Sequence, residues 1–196
     1  MKNIAKGLVF ALVITFAFAS CAKQPVAQMD AAKAAVQAVA DAKGTIYAKE
    51  ELSKLNSDLK AALDEVTLQS KKFFKKYGPA KEMLAKVVAD ADAVKAMIPG
   101  RIEAAKNEAQ AALDAAKAAC DEAAALLAKA PKGKGTKADI EAMKADLDGL
   151  AAQMTEAQNA FQAEDYFGAR DKAKAITDKA NAVKGQVNAA IAKVKK

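Results

Sequence analysis

RIEAAKNEAQAALDAAKAACDEAAALLAK, residues 101–129, is the stretch that decides the fold. Ile102, Ala105, Ala109, Ala112, Ala116, Ala119, Ala123 and Leu126 recur at alternating spacings of three and four, and Leu113, Cys120 and Leu127 form a second row seven apart. Residues at these spacings share one face of an α-helix. A face made of alanine removes little apolar area from water, at about 25 cal/mol per Å². It holds a fold together only where another helix comes close, and small side chains let helix axes approach to roughly 8 Å. The stretch therefore predicts a long helix packed tightly beside others. Within it, Cys120 reads as a small core residue and is expected to be buried.

Composition extends this reading to the whole chain. Of 196 residues, 52 are alanine, the residue that loses least on entering a helix. Only 4 prolines and 9 glycines interrupt it, and seven aromatics follow residue 21. The net charge is +7, or +5 without Lys2 and Lys6. Charges of both signs are mixed along the helices, as in KNEAQAALDAAKAACDE, the pattern of solvated helix faces with i,i+4 pairs.

The neighbouring stretches repeat the pattern. Met29, Ala32, Val36 and Val39 mark a first helix over about 26–43, with Gly44 as its C′ residue. Leu52, Leu55, Leu59, Leu63 and Val66 mark a second over 48–77, the stripe continuing toward Phe73 and Tyr77. Leu84, Val87, Ala91, Val94 and Ile98 mark a third over 80–98, and the alanine stretch a fourth over 101–129. Gly78-Pro79 and Pro99-Gly100 punctuate this part, as kinks in one rod or as true turns. The basic stretch 131–137, with Pro131, Gly133 and Gly135, is the clearest loop. Thr136 or Asp139 is placed to cap the helix after it. Ile140, Met143, Leu147, Leu150, Met154, Ala157 and Phe161 give heptads over 138–163. Ala169, Ala173, Ile176, Ala180, Val183, Val187 and Ile191 give the last helix over 166–194. The expected fold is all-α: an elongated antiparallel bundle of coiled-coil-like hairpins, turning at Gly44, at 131–136 and at Asp165-Tyr166. Its domains are a 1–20 leader, a helical region over 21–130, the 131–137 loop and a C-terminal hairpin over 138–196. Helices of about 27 residues would be roughly 40 Å long.

The N-terminus has a different grammar. Lys2 and Lys6 precede an apolar run of about 12 residues from Gly7 to Phe18, followed by Ala19, Ser20 and Cys21. A spanning helix needs about 20 apolar residues, so the run reads as a signal peptide. Phe18-Ala19-Ser20-Cys21 resembles the lipobox of bacterial lipoproteins, with Phe18 in place of the usual aliphatic residue. The resemblance implies cleavage before Cys21 and acylation of Cys21, with diacylglycerol and palmitate-type chains holding the protein stably to a membrane. Ala22, where aspartate would retain an enteric lipoprotein at the inner membrane, implies the outer membrane facing the periplasm. The inner membrane and the cell surface remain alternatives.

Two further pieces, residues 29–66 and 157–183, resemble bacterial envelope proteins with a helical domain of unknown function, the DUF4398 type. In the first, Tyr47-Ala48-Lys49-Glu50-Glu51-Leu52 matches a Tyr-Ala-Pro-x-x-Leu segment, with lysine for proline. In the second, Glu164-Asp165-Tyr166 matches a Gly-Asp-Tyr segment, with Glu164 for glycine. The second piece is also similar to one tetratricopeptide unit, and one unit makes no solenoid. The resemblance implies an envelope helical module without known chemistry. Tyr47 and Tyr166, each at a helix start, are expected to staple their turns.

The sequence excludes several chemistries. Without histidine, and with one cysteine beyond Cys21, there is no zinc or haem ligand set. His-dependent nucleophilic triads are excluded, though Ser-Lys pairs are not. GKGTK, residues 133–137, lacks the strand and first glycine of a phosphate loop. Asp146, Asp148, Glu164 and Asp165 read as solvated carboxylates. Stacking aromatics within basic patches, as a nucleic-acid binder would need, are not evident. A chain so rich in alanine leaves little room for a ligand cavity. The expectation is a non-enzymatic, cofactor-free, lipid-anchored scaffold that contacts the membrane through its anchor and binds a protein partner or itself. The alternative is an envelope tether. The tail AKVKK resembles that of the murein lipoprotein, whose terminal lysine is joined to peptidoglycan, which makes Lys196 the candidate attachment point.

Overall fold

A computed structural model of the chain describes residues 23–130 and 137–194. Cys21 and its preceding residues, the 131–136 loop and Lys196 lie outside the described residues. The described chain is all-α: α1 (Val26–Val39), a π-helical segment (Ala40–Gly44), α2 (Thr45–Tyr47), α3 (Lys49–Ser70), α4 (Gly78–Ala128), α5 (Lys137–Gln162) and α6 (Tyr166–Val194). It divides between Pro99 and Gly100 into two compact units.

The third and fourth expected helices are one helix, α4, of 51 residues with Pro99 inside. Proline in a helix interior removes a hydrogen bond and crowds the preceding turn. Pro99 and Gly100 are exposed, as is Lys95, whose carbonyl is the one left without the i→i−4 partner. The apolar phase is unbroken across them, running from buried Ile98 through half-buried Ile102 to buried Ala105. A turn would have reset that phase. Gly78-Pro79, by contrast, opens the helix, with proline at a position where its missing N–H is not needed.

The unit ending at Pro99 buries one stripe from each of its long helices. Ala32, Val36 and Val39 come from α1, Leu52, Leu55, Ala62 and Val66 from α3, and Leu84, Val87, Ala91, Val94 and Ile98 from α4. On α3 the seam runs through Ala62, leaving Leu59 and Leu63 half-buried on its flanks. The expected extension of α3 to residue 77 does not occur, because the helix ends at Ser70. Phe73 is 90% exposed while Tyr77 is 3% exposed, so the stripe does not run through Phe73.

The unit beginning at Gly100 is a three-helix bundle. Its core joins Leu113, Ala116, Ala123 and Leu127 of α4 to Met143, Leu150 and Ala157 of α5 and to Ala173, Ile176, Ala180, Val183 and Val187 of α6. Ala109, Ala116, Ala123 and Ala130 repeat every seven residues, as do Met143, Leu150 and Ala157, so the heptads read from the sequence are the packing seam. Ion pairs report the directions of the helices. Arg170 contacts Glu108 at 3.2 Å and Lys184 contacts Glu122 at 2.6 Å, so α4 and α6 run parallel in constant register. Lys172 with Glu156, and Lys179 donating to Gln153 at 2.8 Å, set α5 antiparallel to α6.

Candidate functional site

The residues given chemistry by the sequence, Phe18, Ala19, Ser20, Cys21 and Lys196, are not among the described ones. The described chain offers turns, grooves and one thiol.

The first turn joins α1 to α3. Gly44 was expected to supply a left-handed C′ residue. Instead Lys43 takes that conformation, with φ 68°, and Gly44 has φ −59°. Glycine is needed at 44 for space: a Cβ there would lie 2.4 Å from the carbonyl oxygen of Val39 and 2.7 Å from its Cγ1. Tyr47 is buried beside this turn, as its stapling role requires.

The second turn joins α5 to α6. The Asp165 N–H donates to the Ala160 carbonyl and the Glu164 N–H to Phe161, the paired bonds that close a helix around a left-handed residue. That residue is Glu164, with φ 61°. Position 164 thus has the geometry glycine adopts at no steric cost, and it is where the resembled pattern has glycine. Asp165 then caps α6, its Oδ1 accepting the Gly168 N–H at 3.0 Å. A Cβ at 168 would fall 2.1 Å from Asp165 Oδ2, so Gly168 makes room for the cap. The Tyr166 ring meets Phe161 edge-on at 5.3 Å across the turn. Arg170 lies 5.1 Å over the Phe167 ring. Its hydrogen bonds to Asp171 and Glu108 hold its charge more firmly than usual.

Cys120 is half-buried, not buried. The seam at its level passes through Ala116, Ala119 and Ala123, and Cys120 stands beside that line on the helix circumference. Burial first, and Asp121 second, push its thiol pKa up. Cys120 packs against the core cluster of the second unit, and its raised pKa is the opposite of the lowered one an activated thiol has.

Shallow grooves run between the helices of the second unit. One mostly apolar groove, about 340 Å³, lies between α4 and α5 over Ala124, Leu127, Ala128, Ile140 and Leu147, with Lys144 and Asp148 at its lip. Another, between α4 and α6, has Ala111, Ala112 and Ala115 as its floor and the Glu108–Arg170 pair at its edge. Elsewhere the surface carries lysine-to-aspartate pairs at i,i+4, such as Lys54–Asp58 and Lys117–Asp121, whose hydrogen bonds raise both lysine pKa values.

Sequence reasoning missed the turn between α3 and α4. Lys71, Lys72, Phe73, Phe74, Lys75 and Lys76 are all exposed. The two rings touch each other edge-on at 5.0 Å. Two signals were available: an adjacent Phe-Phe pair cannot sit on one helical stripe, and Val66 to Lys81 holds five lysines and no carboxylate.

Among the described residues no group of His, Cys, Asp and Glu is arranged to hold a metal, and no helix is long and apolar enough to cross a membrane. Comparison with models of known families, with curated proteins and with solved structures gives no match.

Proposed function

We propose that the protein is a lipid-anchored, periplasm-facing helical scaffold, held at the outer membrane through acylated Cys21 and binding a protein partner without catalysing a reaction. The observation that carries the anchoring is Phe18-Ala19-Ser20-Cys21 behind its apolar run. The α4–α5 groove supports the partner-binding part. Its apolar floor between two antiparallel helices, with one cation and one anion at the lip, suits the apolar face of an amphipathic helix. A cap and close packing at the α5–α6 turn hold α5 in place, which favours a preformed groove.

Two experiments test this reading. Radiolabelled palmitate should enter the wild-type protein and not Cys21→Ala; equal labelling of both refutes the anchor. A photo-crosslinking residue at Ala128 or Lys144 should capture a discrete partner in cells, and one at exposed Lys60 should not. Identical products from all three positions would refute the groove.

A further inference from the structure

We infer that the turn between α3 and α4 is a membrane-contact element that inserts Phe73 and Phe74 into a bilayer surface bearing anionic phospholipid. The inference stands on the described residues and does not rest on the reading of Cys21. Phe73 is 90% exposed, Phe74 78% and Leu68, one turn earlier, 52%. The core at this end is already closed by Tyr77, at 3% exposure, so the two phenylalanines are not displaced core residues. The turn that carries them is pinned at both ends. The Lys72 N–H donates to the Gln69 carbonyl, and the Lys76 N–H to Oε1 of Gln69, a buried side chain that also donates to Glu65. The aromatic apex is thus held out by structure on both sides.

The surrounding charge selects the occupant. Lys71, Lys72, Lys75 and Lys76 flank the rings symmetrically, and none pairs with a carboxylate among the described residues. Lysines after a helix C-terminus also satisfy the helix dipole, which accounts for Lys71 and Lys72 alone. It accounts neither for the second lysine pair nor for two exposed rings. An apolar tip within a cationic collar matches an interface where acyl chains lie beneath phosphate headgroups: the rings enter the apolar layer and the lysine stems reach back to the phosphates. Each lysine near an anionic surface contributes roughly a fivefold gain in partitioning.

The chain contains no tryptophan, so Phe73→Trp and Phe74→Trp each place a single reporter at the site. Full-length variants are mixed with vesicles of phosphatidylcholine, with or without phosphatidylglycerol. Emission is expected to move to shorter wavelength, and to be quenched by brominated acyl chains, only with phosphatidylglycerol. Added salt should reverse the effect, and Lys72→Gln with Lys75→Gln should weaken it by roughly tenfold or more. Ile46→Trp, at an exposed apolar position on α2, should show no such response. Helical circular dichroism should match wild type, because the substituted rings are outside the core. An unshifted reporter on vesicles that nevertheless capture the protein overturns the inference. So does an equal shift with phosphatidylcholine alone, or one that grows with protein concentration without lipid, which would assign the rings to self-association.

Discussion

Gly44→Ala and Lys43→Gly should change stability in opposite directions, although both lie in one turn and both swap a small change in backbone freedom. The alanine Cβ would sit 2.4 Å from the Val39 carbonyl oxygen, about 1 Å short of ordinary contact. The opposing atom is backbone in α1 and has no rotamer to escape into. Overpacking costs about 1–3 kcal/mol in general, and a rigid backbone neighbour puts this case near 3 kcal/mol. For a unit of this size each kcal/mol moves the melting temperature by roughly 4–8 °C, so the transition should fall by about 12–24 °C. At Lys43, φ 68° strains any residue with a Cβ by about 1–2 kcal/mol. Glycine removes that strain but adds about 0.5–1 kcal/mol of unfolded-state entropy. A net gain of about 0.5 kcal/mol is expected. Urea titrations followed by helical circular dichroism measure both. If Gly44 instead served as the left-handed cap, Lys43→Gly would only add chain entropy to the unfolded state and would destabilise. That result, or Gly44→Ala within about 0.5 kcal/mol of wild type, refutes the account of the turn.

Glu164→Gly should stabilise the second unit by about 0.5–1 kcal/mol, since φ 61° at that position costs glycine nothing, and a loss measured by urea titration would contradict the turn geometry. Gly168→Ala and Asp165→Ala should each cost about 1 kcal/mol, because both remove the α6 cap, and the double variant should cost little more than either; full additivity would mean that the two residues act separately. Ala173→Leu, at a fully buried seam position, should cost about 1–3 kcal/mol or more in thermal melts, and a neutral result would mean that the helices can spread. Cys120 should be alkylated more slowly at pH 8 in the folded protein than in urea, with half-maximal rate at a higher pH when folded. The sign follows from burial: a folded pKa above the unfolded one adds stability below the ordinary thiol pKa, and that stability fades as pH rises through the folded value.

Most of the fold was legible because helical packing writes itself into spacing. Leu84, Val87, Ala91, Val94 and Ile98 were read as a stripe and all five are buried. The heptads of α5 and α6 are seam positions for the same reason. Pro99-Gly100 stood open as a kink or a turn, and the step from Ile98 to Ile102 to Ala105 keeps the period through one helix. The errors arose where a local symbol stood in for the packing. Gly44 looked like a left-handed cap because glycine usually is one, whereas its role depends on how closely Val39 approaches, which no local rule contains. The stripe of Leu52 to Val66 was extended by its spacing toward Phe73 and Tyr77, yet Phe73 is exposed and only Tyr77 is buried. Whether such a residue is buried depends on what already fills the core, and Tyr77 fills it.

The difficulty of reading function from this chain has a physical origin in alanine. A seam of Ala109, Ala116, Ala123 and Ala130 presents nearly identical shallow holes at each heptad, so it permits close approach without fixing register. Register must come from other residues: Leu113, Met143 and Ile176 as large knobs, and Arg170–Glu108 and Lys184–Glu122, two heptads apart, as charge pairs. Such pairs are partly exposed and add about 0–1 kcal/mol each, so they choose among alignments more than they stabilise one. Residues used for register resemble residues used for recognition, being large or charged and half-exposed. They cannot be separated by type, only by whether a partner within the chain accounts for them. Arg170 and Lys184 have such partners. Phe73 and Phe74 are exposed and meet each other edge-on, and the side chains of the four lysines around them pair with no carboxylate among the described residues, which makes that turn the part of the surface that register within the fold does not account for.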